Sequence, residues 1–185
     1  MSGKRARLSP DDWISAGFRA LVETGPESLG AEPLARGLGT TKGSFYWHFK
    51  DLPDFLGQIV EHWATAAQAA IHAARAADGS PTQKLQRLAG ILTPEDEAHG
   101  GAGVERAMRA WAQSNATAAS AVSEIDRARH AYIADILRAL GLTNPDFPRL
   151  VYGAYLGMTA LPGSDDDNAG ALSTLTAALL ALQDA

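Results

Sequence analysis

The sequence predicts an all-α protein of about nine helices. Three observations carry that prediction. Alanine is abundant and β-branched runs are scarce, which favours helix over strand. No segment alternates with period two for long enough to build a strand. Ser, Asn and Asp stand at the starts of apolar runs spaced three and four apart, and Gly stands at their ends.

Taken in order, Ser9 caps the first helix, Pro10 suits its first position, and Asp12 lies three residues on, a capping-box variant. Ile14, Phe18, Leu21 and Val22 follow at helical spacing, and Gly25 stops the helix. After the loop "PESLG" a short second helix has Pro33 near its start. Leu34, Ala35 and Leu38 form its buried face, and Gly39 ends it. Thr41 caps a third short helix running through Tyr46–His48. Asp51 and Asp54 open a long fourth helix reaching about Ala77, roughly 35 Å at 1.5 Å per residue. Ser80-Pro81 opens a fifth through about Leu92, and "TPEDEAHGGAG" is a loop. Val104–Ser114 is the sixth. Asn115 caps a seventh that runs to Leu140 and stops at Gly141. Asn144-Pro145 opens the eighth, to about Leu161. "PGSDDDNAG" is a polar loop, and Ala171–Gln183 is the last helix.

Composition narrows the function. The 185 residues suit one or two small domains, and 46% apolar residues suffice for a core. Without cysteine there are no disulfides and no zinc–thiolate sites, which fits a reducing compartment. The start "MSGKRARLSPDD" has no apolar stretch behind its basic residues, and no run approaches the roughly 20 apolar residues that span a bilayer. The expected location is the cytoplasm, with no membrane partner. The net charge of −5 is uneven: residues 1–50 carry +2 and the remainder −7. A mildly basic head on an acidic body suits a protein that meets phosphate with one end only.

That head has the order of a helix-turn-helix: helix, short helix, the glycine-bearing turn "GLGTT", short helix. Phe45 and Phe49, four apart, hold the third helix down as core. Lys42, Ser44, Tyr46, Trp47 and His48 cannot all be buried with them. Their hydroxyls, ring nitrogens and ammonium are what base edges and phosphates demand, and Lys50 adds charge beyond. Lys42 also opposes the macrodipole in the first turn of its helix, a local violation that points to function; a solvated lysine is the plainer alternative. Trp47 either packs against sugar-phosphate or braces the head.

Over residues 9–62 the chain resembles the DNA-binding head of the tetracycline-repressor (TetR) family. The resemblance lies in "AGFRALVETG", "LARGLGTTKGSFYWHFKD" and "FLGQIVEH", most specifically in the run Tyr46, Trp47, His48, Phe49. It implies a head at residues 1–52 and a ligand-binding and dimerisation body at 53–185. It implies DNA contacts from Thr40, Thr41, Lys42, Gly43, Ser44, Tyr46, Trp47, His48 and Lys50. Two departures stand out. Helix two starts "GAEP" rather than with basic or hydroxyl-bearing residues, and Leu52 occupies the family's usual lysine position. Lys4 and Arg5 on an N-terminal arm offer partial compensation.

The resemblance further implies a homodimer built from the last two helices, and two copies reading half-sites of a palindromic operator in double-stranded DNA. Leu150, Val151, Ala154, Tyr155, Met158 and Leu161 on one helix, and Leu172, Leu175, Leu179, Leu180 and Leu182 on the other, suit such an interface, and Gly153 and Gly157 allow close approach; an intramolecular hairpin is the plainer alternative. Between head and interface, Trp63, Met108, Trp111, Tyr132, Tyr152 and Tyr155 supply walls for a small apolar or amphipathic effector, or else ordinary core. Asp126 and Arg129, three apart, either pair with each other or face that ligand.

Catalysis is not expected. There is no nucleophile elbow, Gly-rich phosphate loop or paired catalytic carboxylate, and no cofactor is implied. His62, His72, His99 and His130 lie at no metal-ligand spacing, and Asp165–Asp167 read as a solvated loop capping the final helix. The expected function is a ligand-responsive repressor. The alternative is a helical small-molecule-binding protein whose head has weak or lost DNA affinity.

Overall fold

The computed structural model describes residues 8–88, 103–161 and 165–182. Among these residues the fold is all-α, with nine α-helices and one 3-10 turn at Pro26–Ser28. The helices are α1 (Pro10–Glu23), α2 (Ala31–Gly37), α3 (Lys42–Phe45), α4 (Leu52–Ala76) and α5 (Pro81–Gln86). Beyond them come α6 (Gly103–Trp111), α7 (Ala116–Ala139), α8 (Phe147–Ala160) and α9 (Asp165–Ala181).

Local chemistry sets most of the starts. The Ser9 hydroxyl accepts from the Asp12 amide at 3.2 Å while the Asp12 carboxylate accepts from the Ser9 amide at 2.7 Å, a complete capping box. Ser80 and Gln83 build a second one at α5. The Asn115 side chain accepts from the Ala118 amide at 2.9 Å and starts α7. At α4 the Asp51 carboxylate accepts from the Asp54 amide at 2.8 Å. Asp54 in turn reaches back to the Lys50 amide, one residue before the expected partner.

Five boundaries differ from the sequence expectation. Regular α3 ends at Phe45, and 46–48 continue as tight turns closed by His48 N–H to Phe45 O at 3.0 Å. A glycine in the first turn and consecutive aromatics after it are poor helix formers. Helix α6 ends at Trp111 rather than Ser114, because the chain turns to deliver Asn115 as the next cap. Helix α8 begins at Phe147, not Asn144: the Asn144 side chain accepts from the Asp146 amide in a local turn, and Pro148 takes the first-turn position. Helix α9 begins at Asp165, six residues before the expected Ala171, so residues 165–170 of the polar stretch read as a loop are helical backbone; 162–164 lie outside the described residues. Three aspartates in a first turn complement the macrodipole. Helix α5 ends at Gln86, short of the expected Leu92, with Arg87 N–H closing back on Gln83 and Lys84; the loop expected after Leu92, and Gln183, lie outside the described residues.

The chain divides into two compact units. One holds the described residues up to Trp63 with those from 103 to Ala119; the other holds Ala64 to Leu88 and Ser120 onward. In the first, α1 packs on α2 and α6, with Trp13, Ile14, Phe18, Leu21, Phe55 and Ile59 nearly inaccessible. Burying each such side chain contributes about 1.5–3 kcal/mol. Gly17 lets α1 approach α4 closely: a Cβ there would lie 2.6 Å from Ile59 Cδ1 and 2.9 Å from Phe55 Cζ. In the second unit, α9 packs on α8 and α5. The far end of α4 is held there by the Tyr132 hydroxyl donating to Ala74 O at 3.1 Å and the Lys84 ammonium donating to Arg75 O at 3.1 Å. Among the described residues no helix is long and apolar enough to cross a membrane.

Candidate functional site

The turn between α2 and α3 is built from backbone bonds that run back onto α2. Gly39 N–H reaches Arg36 O at 3.1 Å and Thr40 N–H reaches Ala35 O at 2.8 Å. Gly39 adopts φ +63°, which only glycine takes without strain. Thr41 has the extended backbone of an N-cap, yet its side chain makes no capping bond. The expected capping role is therefore met in position only, and the hydroxyl sits exposed.

Beneath α3 lies a cluster of aromatic rings. Phe45 is 0% exposed; its ring centroid lies 5.4 Å from Trp13, 4.9 Å from Phe49 and 5.2 Å from Phe55. Most of these contacts are edge-to-face, each adding about 0.5–1.5 kcal/mol beyond area. A four-residue helix has no stability of its own, so this cluster is what holds it. Phe45 and Phe49 are core, as their spacing implies.

Above that cluster the same segment turns outward. Tyr46 is 49% and Trp47 80% exposed, so Trp47 does not brace the head. Thr41, Lys42, Gly43 and Lys50 are exposed; Thr40, Ser44 and His48 are half-buried. The Lys42 ammonium lies 6.0 Å from the Tyr46 ring centre, at the edge of cation–π reach. All nine residues expected to meet DNA thus lie on one stretch, and none is fully buried. The start of α1 adjoins them. The Asp12 carboxyl is held below the ordinary carboxylate value, chiefly by its bond from the Ser9 amide, then by the Ser9 hydroxyl. Arg19 and His48 lower it further. Leu52, where the family carries lysine, is half-buried at the first position of α4, and Glu32 and Pro33 are exposed on α2. Lys4 and Arg5 lie outside the described residues.

The six residues expected around an effector are all buried, and they divide between the units. Trp63, Met108 and Trp111 belong to the first; Tyr132, Tyr152 and Tyr155 belong to the second. Each tyrosine hydroxyl is engaged. Tyr132 donates to Ala74 O, and Tyr152 donates to the Asp126 carboxylate at 2.6 Å. Tyr155, whose phenol is raised by burial, bonds Thr176. Arg129 is 2% exposed and its guanidinium lies 3.5 Å from the Tyr152 oxygen. Asp126 and Arg129, expected to pair with each other or to face the ligand, therefore both meet Tyr152. Among the described residues no three His, Asp or Glu side chains are placed to hold a metal ion. His99 lies outside them.

A concavity that the sequence reading did not single out lies in the second unit. A groove of about 610 Å³ runs between residues 64–72 of α4 and 121–125 of α7. Scattered small side chains, Ala64, Ala69 and Ala121, were its only signal.

The comparisons agree with this geometry. The model of the bacterial regulatory proteins of the tetR family matches residues 14–52. No curated protein is significantly similar in sequence. Among solved structures, a transcriptional regulator from Saccharomonospora viridis in complex with choline superposes with a TM-score of 0.71 at 15% identity, covering 89% of this chain and 93% of that one. The reduced form of NemR from E. coli gives 0.66 at 15% identity, covering 90% and 95%. The multidrug-binding protein EbrR complexed with imidazole gives 0.54 at 18% identity, covering 92% and 96%. The head thus matches that family's model over residues 14–52, and the all-helical fold is the one these solved structures share.

Proposed function

We propose that the protein is a ligand-responsive repressor, acting in the cytoplasm, that binds a palindromic operator as a homodimer. The observation that carries this is the division of residues 42–50 by face: Phe45 and Phe49 buried, Lys42, Tyr46, Trp47 and Lys50 exposed. In this reading Lys42 and Ser44 meet base edges. Tyr46, His48, Thr40, Thr41 and Lys50 meet phosphates, the backbone at Gly43 approaches closely, and Trp47 lies along a sugar. Residues 1–52 are the DNA-binding domain and 53–185 the ligand-binding and dimerisation domain.

Dimerisation through α8 and α9 rests on what those helices leave exposed. Leu150, Leu161 and Leu182 are 64%, 56% and 51% exposed. Gly153 and Gly157 stand on the same face as Leu150, where an added Cβ would meet nothing. On α9 the exposed positions Gly170, Ser173, Thr174, Ala177, Ala178 and Ala181 are all small. Such a surface admits a second helix pair at close range. Choline and imidazole in two of the similar structures support a small effector for the body. That effector acts by favouring a head spacing that no longer matches successive major grooves.

Leu52 and the "GAEP" start of α2 favour a second reading, a ligand-binding protein with weak or lost DNA affinity. Fluorescence anisotropy with the DNA upstream of the chain's own gene separates the two. The repressor reading requires binding that is sequence-selective and falls steeply with salt. Binding that ignores sequence and competitor DNA sinks it.

A further inference from the structure

The groove between α4 and α7 has a chemistry of its own. Its lining residues fall on one face of each helix: 64, 65, 68, 69 and 72 on α4, and 121, 124 and 125 on α7. Alanine at 64, 69 and 121 leaves the space, and the buried Ile125 adds a hydrocarbon side chain to its wall. The polar lining is Thr65, Gln68, His72 and Glu124, with no lysine or arginine among it. Gln68 Nε2 lies 3.1 Å from His72 Nε2. With the amide nitrogen donating to the ring, Gln68 Oε1 is left as an acceptor, and the Thr65 hydroxyl and the Glu124 carboxylate line the same groove.

We propose that this groove binds a small amphipathic primary amine, which in the regulatory reading above, on which its physiological role rests, is the effector. A protonated amine offers three N–H donors and one positive charge, matching three acceptors of which one is anionic. Its short hydrocarbon lies along the alanines and Ile125. A carboxylate of the same length would meet Glu124 with no lysine or arginine in the lining to offset the repulsion.

Calorimetric titration of the full-length protein with hexylammonium, and with hexanoate as the opposite-charge control, tests this. Hexylammonium is expected to bind and hexanoate not. Glu124→Gln should weaken the amine about threefold to fivefold, the scale of an exposed ion pair, and raised salt should do the same. Ala69→Trp, on an exposed position, should fill the groove and abolish binding while circular dichroism reports an intact fold. Equal binding of hexanoate, no binding of hexylammonium at millimolar concentration, or an amine affinity untouched by both substitutions overturns the proposal. Anisotropy with operator DNA then separates the two ideas. Amine bound in the groove without effect on DNA supports the site and removes its regulatory role. Amine that releases DNA from both variants as from the parent keeps an amine effector and removes this site.

Discussion

Two regions of the molecule leave apolar side chains in water, and they do so differently. Around α3 the exposed groups are Tyr46 and Trp47, amphipathic rings set among Lys42, His48 and Lys50. On α8 and α9 they are Leu150, Leu161 and Leu182, set among glycines, alanines and hydroxyls; no charged residue occurs in 150–161 or 168–182. The first surface keeps polar tips and cations on every side of its rings, as a wet, charged partner requires. The second offers nothing to a charged partner and much to another apolar helix face. In the function proposed above both are interaction surfaces, and the neighbours of the exposed groups set the class of partner each suits.

Single substitutions break or sharpen that comparison. The largest effect is expected from the core beneath the first surface. Phe45→Ala removes the ring on which Trp13, Phe49 and Phe55 converge, and should cost about 3–5 kcal/mol in thermal or urea unfolding. Trp47→Ala, two residues on but 80% exposed, should change stability by less than about 0.5 kcal/mol while weakening DNA binding. Equal melting losses for the two would erase the division by face. Next, Leu150→Arg places a cation in the uncharged face of α8. Sedimentation velocity should show the dimer constant weakened by at least about 3 kcal/mol, more than a hundredfold. An unchanged sedimentation profile would move the interface elsewhere.

Smaller effects refine the head. Tyr46→Phe deletes one hydroxyl and should weaken operator binding about fivefold to tenfold on all sequences alike, at unaltered melting temperature. Lys42→Ala should instead relax selectivity at one base pair, by about 1–3 kcal/mol, and is read by a panel of single-site operator variants. The smallest effect concerns the α1 cap. The Asp12 carboxyl is depressed in the folded state, so its stabilisation is complete above the ordinary value near 3.8 and is lost as pH falls through the lower folded value. Asp12→Asn should therefore flatten the acid limb of a melting-temperature profile, and Ser9→Ala should cost about 1 kcal/mol at neutral pH.

Much of the fold was legible because helix starts are local events. Ser9, Ser80 and Asn115 cap the helices their positions announced, since a cap needs only a side chain and an amide three residues away. Helix α9 was legible too, had the three aspartates been weighed as a first turn rather than as polar loop. The end of α3 was not, because it depends on how Phe45 and Phe49 seat on rings from α1 and α4. In the aromatic run 45–49 spacing foretold that Phe45 and Phe49 are core. The groove lining had no comparable signal beyond scattered alanines, since it draws on residues more than fifty positions apart.

By itself the sequence determined the helical class, the order of the head and the residues that would stand outward on it. Those follow from propensity, capping and a period of 3.6, all of which act over one or two turns. Only the tertiary structure decided that Trp47 is free of the core and that Tyr132 closes the end of α4. It alone decided that Asp126 and Arg129 meet through Tyr152, and that small residues on two distant helices leave a groove. Each of these depends on which faces are brought together, and burial and hydrogen-bond partners exist only once they are.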